Sequence, residues 1–423
     1  MALMKLGLEK GRTAPKDILR GREGVVDQCL VKAPEDSPFY QPFLEIPASI
    51  PAEVQDSLRH RARRLIAVGI TPVYEEFARF WKEEYIPGAV SAPGISAQPK
   101  GRAWYEQRIR HYTTLDMTPE QVYEIGQQEV ARIRKEMEAI IQELGFQGSF
   151  QDFLEFLRTD PQFYCTTPEQ LLKEASYIAK RIDGKLPAYF GKLPRNTYGV
   201  EPVPALLAPT YTGGRYSPGS LEAGRAGQYW VNTYNLPARP LYVLPSLTLH
   251  EAVPGHHLQI SLAQEMEGVP RFRRNTYLSA FGEGWALYAE WLGEEMGIYT
   301  SAYERFGKLT YEMWRACRLV VDPGIHAMGW SRQQAIDFMV SNTALSVHEC
   351  TTEVDRYIGW PGQAVSYKIG ELKIRELRQR AEERLGPKFN LRDFHDKVLE
   401  NGSIPLFTLE RIVNEWIEQV ASQ

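Results

Sequence analysis

Two helix-start signals of the same kind, each followed by a long stretch of helical periodicity, constrain this chain more than any other feature. In the segment TPEQ at 118–121, a capping hydroxyl precedes a proline at the first helical position and a glutamine at the third. The same four letters return at 167–170, and apolar residues at helical spacing follow both signals. We predict further helices starting at Ser331, over 367–385 and over about 409–420. The chain is therefore predicted to be mostly α-helical.

One region departs from this periodicity. Residues 187–245 are rich in proline, glycine and tyrosine and lack a helical period. Within them the segment QYWVNTYN, Gln228–Asn235, has the β-branched and aromatic content typical of a strand. We therefore predict a small β or loop insertion immediately before the most distinctive motif of the chain.

The charges of the chain are nearly balanced. Its 423 residues include 49 lysines and arginines against 53 aspartates and glutamates, a net charge of −4. This balance gives no reason to expect a nucleic acid or an anionic membrane as partner. The basic run RHRARR at 59–64 is interpreted as a solvated helix face. No apolar run approaches the roughly 18 residues that a membrane-spanning helix needs.

Cysteine usage bears on the compartment. The four cysteines are scattered without short-range pairing, at Cys29, Cys165, Cys317 and Cys350. That pattern disfavours a disulfide framework and an all-thiolate metal site, and it favours a reducing compartment. Charged residues also interrupt the N-terminal segment before an apolar stretch reaches the length of a secretory signal core. We therefore expect a cytoplasmic protein, of an oligomeric state that the sequence leaves open.

The most distinctive motif is HEAVPGHH at 250–257, in which three of the eight histidines of the chain fall within eight positions. Neutral imidazole is the commonest metal ligand in proteins, and Glu251 stands where a zinc-activated water needs a proton acceptor. The usual H-E-x-x-H pattern is absent because Pro254 occupies the second histidine position. The second ligand would then be His256 or His257.

The spacing between these histidines requires a break in the helix. On a straight helix, a residue six positions after His250 points about 240° around the axis, and one seven positions after it lies about 10 Å further along. Pro254 and Gly255 permit a kink or bulge that returns one of the two later histidines to the face of His250. The alternative interpretation is a polar helix–loop junction whose histidines are satisfied by hydrogen bonds.

A third ligand is expected from a neighbouring helix. Glu283 follows His250 by 33 positions and is flanked by Gly282 and Gly284, which allow close helix approach. Glu290, two turns later on the same face, would be a further ligand or an acceptor for a ligand imidazole. Two histidines and one glutamate would leave the fourth zinc position for water, as in catalytic sites. Several other glutamates in this region leave an ordinary structural role for Glu283 open.

At this point four motifs in order resemble a known family. They are HEAVPGHHLQ from His250, GEGWALYAE from Gly282, RLVVDPGIH from Arg318 and PGQAVSYKIGELKI from Pro361. Together they resemble the bacterial family catalogued as domain of unknown function 885, whose members are similar to zinc metallopeptidases of the gluzincin type. The resemblance extends from near the N-terminus to the end of the chain.

The resemblance implies a mostly α, large helical zincin-like metallopeptidase fold, with the small β or loop insertion before the HExxxGHH motif. Residues 1–186 would form a mostly helical wall of a deep channel, and residues 187–423 a catalytic region continuous with it. It also implies one zinc ion.

The same resemblance suggests the site residues. The zinc ligands would be His250, His256 and Glu283, and the general base Glu251. His256 is preferred to His257 because Gly255-His256 resembles the Gly-His step of helical metallocarboxypeptidases.

Three further residues are candidates for catalytic roles. Negative charge develops on a carbonyl oxygen under attack, so a hydrogen-bond donor must face it. His326 and Tyr367 are the first candidates, since each lies in a motif just after a break made by glycine or proline. His257 is another if it is not a ligand. The alternative for the first two is a packed, hydrogen-bonded core residue.

Substrate binding has its own candidates. The predicted strand Gln228–Asn235, with Asn232 in it, could pair with an extended peptide by edge addition. Arg318 and Arg356 could bind a terminal carboxylate bidentately. The alternatives are an ordinary protected strand and arginines paired with neighbouring acidic residues.

We expect from these residues a zinc-dependent metallopeptidase, carboxypeptidase- or dipeptidase-like, that cleaves short peptides. Two alternatives stay open: a zinc hydrolase of a non-peptide amide or ester, and a non-catalytic metal-binding protein on a peptidase scaffold. Glu251 argues against the second because a structural metal needs no general base, although a glutamate near a helix end can also balance the helix dipole.

Overall fold

A computed structural model describes the backbone of residues 1–423 and every side chain except that of residue 210. The chain divides into two compact units. The first comprises residues 1–103 and 325–332, and the second residues 104–324 and 333–423. The predicted division at 186/187 therefore falls inside the second unit, and the structural division lies elsewhere.

The first unit is helical. Its helices are Ala2–Glu9 (α1), Lys16–Leu19 (α2), Glu23–Asp27 (α3), Ala52–Leu65 (α4), Thr71–Phe80 (α5) and Ile86–Gly88 (α6). Two π-helical turns, Ile66–Ile70 and Trp81–Tyr85, connect the last three. Each turn ends just before a Thr-Pro or Ile-Pro step, where proline cannot bond to the preceding turn and crowds its carbonyl. The basic run at 59–64 lies on α4 and is mostly exposed, as predicted.

The second unit holds the longer helices. Those that lie wholly or mostly in it are Gly101–Thr113 (α7), Pro119–Glu143 (α8), Phe150–Thr159 (α9), Pro168–Asp183 (α10), Leu186–Tyr189 (α11), Leu244–Glu251 (α12), His256–Gln264 (α13), Arg271–Asn275 (α14), Ser279–Glu295 (α15), Ala302–Ala327 (α16), Arg332–Asn342 (α17), Val347–Gly359 (α18), Ser366–Leu385 (α19), Leu391–Leu399 (α20) and Leu406–Ala421 (α21). The protein is therefore mostly α-helical, as predicted.

The two helix-start signals act as the sequence indicates. Thr118 and Thr167 each accept a hydrogen bond from the backbone of the glutamine three residues on, and each glutamine side chain bonds back to the cap. These reciprocal bonds satisfy backbone donors that a helix start leaves free. The helices predicted from Ser331 and over 367–385 are also confirmed as α17 and α19. The last helix starts at Leu406, three residues earlier than predicted, directly after Pro405.

A small mixed sheet occupies the non-helical region, as predicted. Its strands are Tyr198–Pro202 (β1), Gly214–Ser217 (β2) and Gly227–Val231 (β3), in the order β1-β3-β2. β3 pairs in parallel with β1 and antiparallel with β2. The predicted strand Gln228–Asn235 therefore ends at Val231 and is the central strand. The prediction that it adds a peptide at its edge is wrong, because neighbours already pair with both of its edges.

Packing around α12 shows why the predicted boundary at 186/187 does not separate two compact units. α10 packs against both α12 and β1, so the helices before residue 186 share the core of the residues after it.

In the described residues, no helix is both long enough and apolar enough to cross a membrane.

Candidate metal centre

The break between α12 and α13 brings two histidines together. α12 ends at Glu251, and α13 begins at His256 after a turn that contains a cis Val253-Pro254 bond. A side chain at Gly255 would overlap the carbonyl oxygens of Leu249 and His250, so the turn needs glycine there. The rings of His250 and His256 lie 4.8 Å apart between centroids and perpendicular to each other. The predicted kink therefore returns His256 to the face of His250.

Helix α15 supplies the third residue of the cluster. Trp285 anchors this helix to the turn by donating from Nε1 to the carbonyl oxygen of Pro254 at 2.7 Å. On its other side Gly284 meets Gly370 of α19 so closely that a Cβ at either position would overlap backbone atoms. The small residue beside Glu283 thus allows close helix approach, as the sequence suggests.

The cluster has the dimensions of a zinc site. Oε2 of Glu283 lies 3.5 Å from Nε2 of His250 and 3.3 Å from Nε2 of His256. One ligand atom from each of these three residues lies within 4.8 Å of the other two. A tetrahedral zinc ion with bonds of about 2.0 Å separates neighbouring ligand atoms by roughly 3.3 Å. The donor set and its spacing therefore fit one zinc ion.

The hydrogen bond behind His250 makes a cation between these groups favourable. Nδ1 of His250 donates to Oε1 of the buried Glu290 at 2.7 Å, which leaves the Nε2 lone pair facing the Glu283 carboxylate. Two acceptors that face each other need a positive charge between them. Without a metal, that charge is a proton on Nε2: burial alone would lower the pKa of His250, but its hydrogen bonds to Glu283 and Glu290 raise it to about 9. Glu290 thus occupies the acceptor position that the sequence left as one of its two alternatives.

The glutamate after His250 faces a large cavity. Glu251 is mostly buried, and its Oε2 accepts a hydrogen bond from the backbone nitrogen of Tyr216 in β2 at 2.7 Å. This bond fixes the carboxylate at the end of α12 and leaves its other oxygen for proton transfer. Glu251 and the cluster line a cavity of about 900 Å³ within the second unit.

Two tyrosines that the sequence analysis did not single out belong to this site. The hydroxyl of Tyr277 donates to Oε1 of Glu283 at 2.7 Å and so orients this carboxylate. Tyr216 holds Glu251 through its backbone, as described, while its hydroxyl bonds to His257. The position of Tyr277 shortly before the GEGW motif was the only sequence signal that could have identified it. No sequence signal identifies a backbone donor in β2.

His257 lies next to the cluster in sequence but outside it in space. Its ring is buried, with Nε2 donating to the carbonyl oxygen of Asn196 at 3.2 Å and Nδ1 accepting from the hydroxyl of Tyr216 at 2.9 Å. Burial lowers the pKa of His257 to about 4. Both nitrogens are therefore occupied, which leaves His257 no free donor for the catalytic role expected of it. His256 is the histidine that joins the cluster.

Two other predicted site residues are not brought to the cluster. His326 lies in the first unit, where its Nδ1 accepts from the backbone nitrogen of Ile95 at 3.1 Å. The Asn232 amide is buried and donates to three carbonyl oxygens in the loop before β2, at 3.0 to 3.1 Å. Its oxygen accepts from the backbone nitrogen of Tyr234. Asn232 therefore holds a loop, because every polar atom of its side chain is already bonded.

The remaining predicted residues do line the large cavity. Tyr367, Arg318 and Arg356 all form part of its wall. The hydroxyl oxygen of Tyr367 lies 3.5 Å from Nη2 of Arg356, an arrangement in which it accepts and keeps its own proton to donate. Tyr367 therefore remains the candidate donor to a substrate oxygen.

Comparison with known proteins adds a family and a fold. A family model described as "Bacterial protein of unknown function (DUF885)" matches residues 1–413. A crystal structure of a protein from Colwellia psychrerythraea, described as a candidate lipoprotein, is similar with 33% identity and a TM-score of 0.92. That match covers 98% of this chain and 72% of the other. No curated protein matches the sequence.

A second solved structure supports the fold alone. It is a candidate lipoprotein of unknown function from Shewanella oneidensis, with 19% identity and a TM-score of 0.68. The match covers 94% of this chain and 73% of the other.

Proposed function

We propose that this chain, which belongs to the bacterial family of unknown function DUF885, is a zinc-dependent hydrolase that cleaves short peptides. The observation that carries the proposal is the convergence of His250, His256 and Glu283, with the Glu251 carboxylate facing the same cavity. A zincin-like fold and a kinship with gluzincin-type metallopeptidases are part of this proposal.

Each residue has a defined task in the proposed reaction. His250, His256 and Glu283 hold the zinc ion, and Glu290 and Tyr277 orient two of those ligands. When bound there, zinc supplies Lewis-acid activation of water and of a substrate carbonyl.

Two further residues handle the proton and the developing charge. Glu251 accepts the proton of the attacking water, and its bond to the Tyr216 backbone keeps the carboxylate in place as it does so. Tyr367 donates to the oxygen on which charge develops.

The cavity supports a small substrate. Its volume of about 900 Å³ lies in the range of roughly 300–1,000 Å³ that is usual for small-ligand sites. Residues 214–216 of β2 line it, and β2 is at the edge of the sheet. β2, and not the central strand expected from the sequence, is therefore the edge along which an extended peptide of a few residues can lie, next to the Tyr216 backbone nitrogen that Glu251 already occupies.

The experiment that tests the proposal combines metal content with peptide hydrolysis. We expect about one zinc per chain, lost in His250→Ala and in Glu283→Ala. Glu251→Gln is expected to retain zinc and to lower the hydrolysis of short peptides by about 100-fold or more, because it removes the proton acceptor. Glu267→Gln, at an exposed position, is the matched control.

The outcomes separate the alternatives. If the zinc-loaded protein cleaves amide or ester compounds but no peptide, the function is that of a zinc hydrolase with a non-peptide substrate. A protein that binds zinc but has the same activity profile with Glu251→Gln would be a binding protein. Absence of zinc after reloading would end the hydrolase proposal.

The compartment is a separate part of the proposal. The cysteine pattern predicts the cytoplasm, whereas both structural relatives are described as candidate lipoproteins, which favours the cell envelope. We adopt the envelope assignment, and fractionation of the native host with an antibody to the protein tests it.

A further inference from the structure

Two arginines in the wall of the cavity share one carboxylate. Nη2 of Arg318 lies 3.0 Å from Oε2 of Glu353, and Nη1 of Arg356 lies 3.2 Å from the same oxygen. Glu353 is buried, so the pairing takes place away from bulk water. Two guanidinium groups against one carboxylate leave this group with a surplus positive charge. Such a surplus in a low-dielectric environment is costly unless an anion meets it.

Arg318 also has one hydrogen-bond donor without a partner in the described part of the chain. Arg318 is 2% exposed, and its Nε donates to the hydroxyl of Tyr357 at 2.9 Å. Its Nη1 has no hydrogen-bond partner among the described residues. Leaving a buried donor unpaired is unfavourable, and more so when the donor is charged. The arrangement is therefore one that a further anion would complete.

The other described carboxyl groups near the two arginines form no ion pair with them. Asp322 accepts bonds from the Tyr105 hydroxyl and the Gly362 backbone, and burial raises its pKa to about 7. Burial likewise raises the pKa of Glu349 to about 7. In the described residues, the ion pairs within 4.0 Å that Arg318 and Arg356 form are those with Glu353.

Arg356 is the arginine that a ligand can reach. Its side chain is 29% exposed and lines the cavity that contains the metal cluster. Its Nη2 donates to Oε1 of Gln363 at 2.6 Å, which fixes the plane of the guanidinium group. Behind it, Arg318 packs over the ring of Tyr367 at 4.2 Å and over that of Trp314 at 4.5 Å. Both cations are therefore held in place before a ligand arrives.

We propose that Arg356, supported by the charge of Arg318, binds a carboxylate of the peptide substrate. This inference rests on the proposed function and names its substrate class: peptides with a free C-terminal carboxylate. A planar, preorganised guanidinium is the group that recognises a carboxylate most selectively. An acidic side chain carries the same chemistry. The terminal group is favoured because the cavity accommodates short substrates, in which a chain end always lies near the scissile bond.

Binding to the zinc-loaded Glu251→Gln protein tests the inference without depending on turnover. Three probes are titrated by calorimetry: N-acetyl-trialanine as the free acid, its C-terminal amide, and N-acetyl-Ala-Ala-Glu-amide. We expect the free acid to bind about 10-fold or more tightly than the amide, as a charge-assisted hydrogen bond implies. Comparable binding of the glutamate amide would assign the carboxylate to a side chain instead of the terminus.

Two variants in this background move the preference in opposite directions. Arg356→Gln removes the contact and is expected to bring the acid-to-amide ratio of affinities close to one. Glu353→Gln removes the carboxylate that competes with the ligand for Arg356 and is expected to raise this ratio. A purely structural role of the arginines would not produce that increase. Arg411→Gln, in an exposed pair with Glu415, is the control. Thermal melting of each variant verifies that it is folded.

Failure of the inference and failure of the proposed function look different. Equal affinity for acid and amide, no measurable binding of the acid, or an unchanged ratio in Arg356→Gln would overturn the inference even if the wild-type protein hydrolyses peptides. A clear preference for the acid in the Glu251→Gln background, with no peptide hydrolysis by the zinc-loaded wild-type protein, would keep the carboxylate site and end the proposed peptidase activity.

Discussion

At the scale of single residues, Glu290 shows how a carboxylate can orient a candidate ligand without being a ligand itself. Glu290 is 2% exposed, accepts a hydrogen bond from Nδ1 of His250, and pairs with Arg315 at 3.2 Å. By fixing the tautomer of His250, it directs the Nε2 lone pair into the cluster. Its position depends on α15 crossing α12, so the sequence could name it as a candidate but could not choose its role.

Glu290→Gln is expected to lower the affinity for zinc by about 10-fold or more, because the neutral amide makes the His250 imidazole a weaker ligand. The measurement is competition for zinc against a chelator of known affinity. Glu294→Gln, one turn later on the same helix and half-exposed, is the control. Equal zinc affinity in both variants would show that Glu290 serves the fold alone.

At the scale of elements, the turn between α12 and α13 determines whether the site exists. It breaks the helix and redirects the chain, so that His256, six positions after His250, lies on the same side as His250. The backbone nitrogen of Gly255 bonds to the carbonyl oxygen of Leu249, and that of His257 to Ala252, at 3.0 Å each. These bonds replace the helical ones that Pro254 cannot make.

Gly255→Ala is expected to abolish stoichiometric zinc binding and to lower the stability of the protein. The added methyl group would overlap the carbonyl oxygens of Leu249 and His250, so the turn must open and separate the histidines. Metal analysis and thermal melting measure the two effects. Gly184→Ala is the matched control, since a Cβ there meets its nearest atom at 3.8 Å. Full zinc occupancy in Gly255→Ala would contradict this account of the turn.

At the scale of the whole molecule, the burial of ionisable groups makes the free energy of unfolding depend on pH. Lys368 is fully buried and forms ion pairs with Glu129, Glu312 and Glu371 at 2.8 to 3.0 Å. This network joins α8, α16 and α19 of the second unit. His395 is also fully buried, with Nδ1 donating to the carbonyl oxygen of Tyr189 and Nε2 accepting from the hydroxyl of Tyr288.

The free energy of unfolding is expected to fall as the pH drops through the range in which histidine titrates. Burial lowers the pKa of His395 to about 3 in the folded protein, against roughly 6.5 in an unfolded chain. The unfolded chain therefore binds a proton first, and the stability that His395 provides above pH 6.5 is progressively lost towards pH 3. Between pH 7 and pH 5 this loss amounts to about 2 kcal/mol.

Urea unfolding at pH 7 and pH 5 measures this loss, with His395→Gln expected to show a smaller difference between the two. Glutamine can donate to Tyr189 and accept from Tyr288 without titrating. The exposed His348→Gln is the control. The same pH difference in His395→Gln as in the wild type would exclude His395 as the source.

The local sequence determines where several helices start and which residues can form the candidate site. Hydroxyl–proline–glutamine signals determine where helices start, since a cap is satisfied within four residues. The candidate metal-binding residue types stand together in one short motif, and the need for a break at Pro254 and Gly255 follows from the geometry of one helix.

The tertiary structure decided the rest, because a contact between distant segments has no local signal. It selected His256 over His257, made β3 a central strand, and placed His326 outside the site. It also set a β2 backbone nitrogen against Glu251 and gave two arginines from different helices one carboxylate to share. Local sequence determines which groups a segment can offer, whereas the packing of helices determines which of those groups meet.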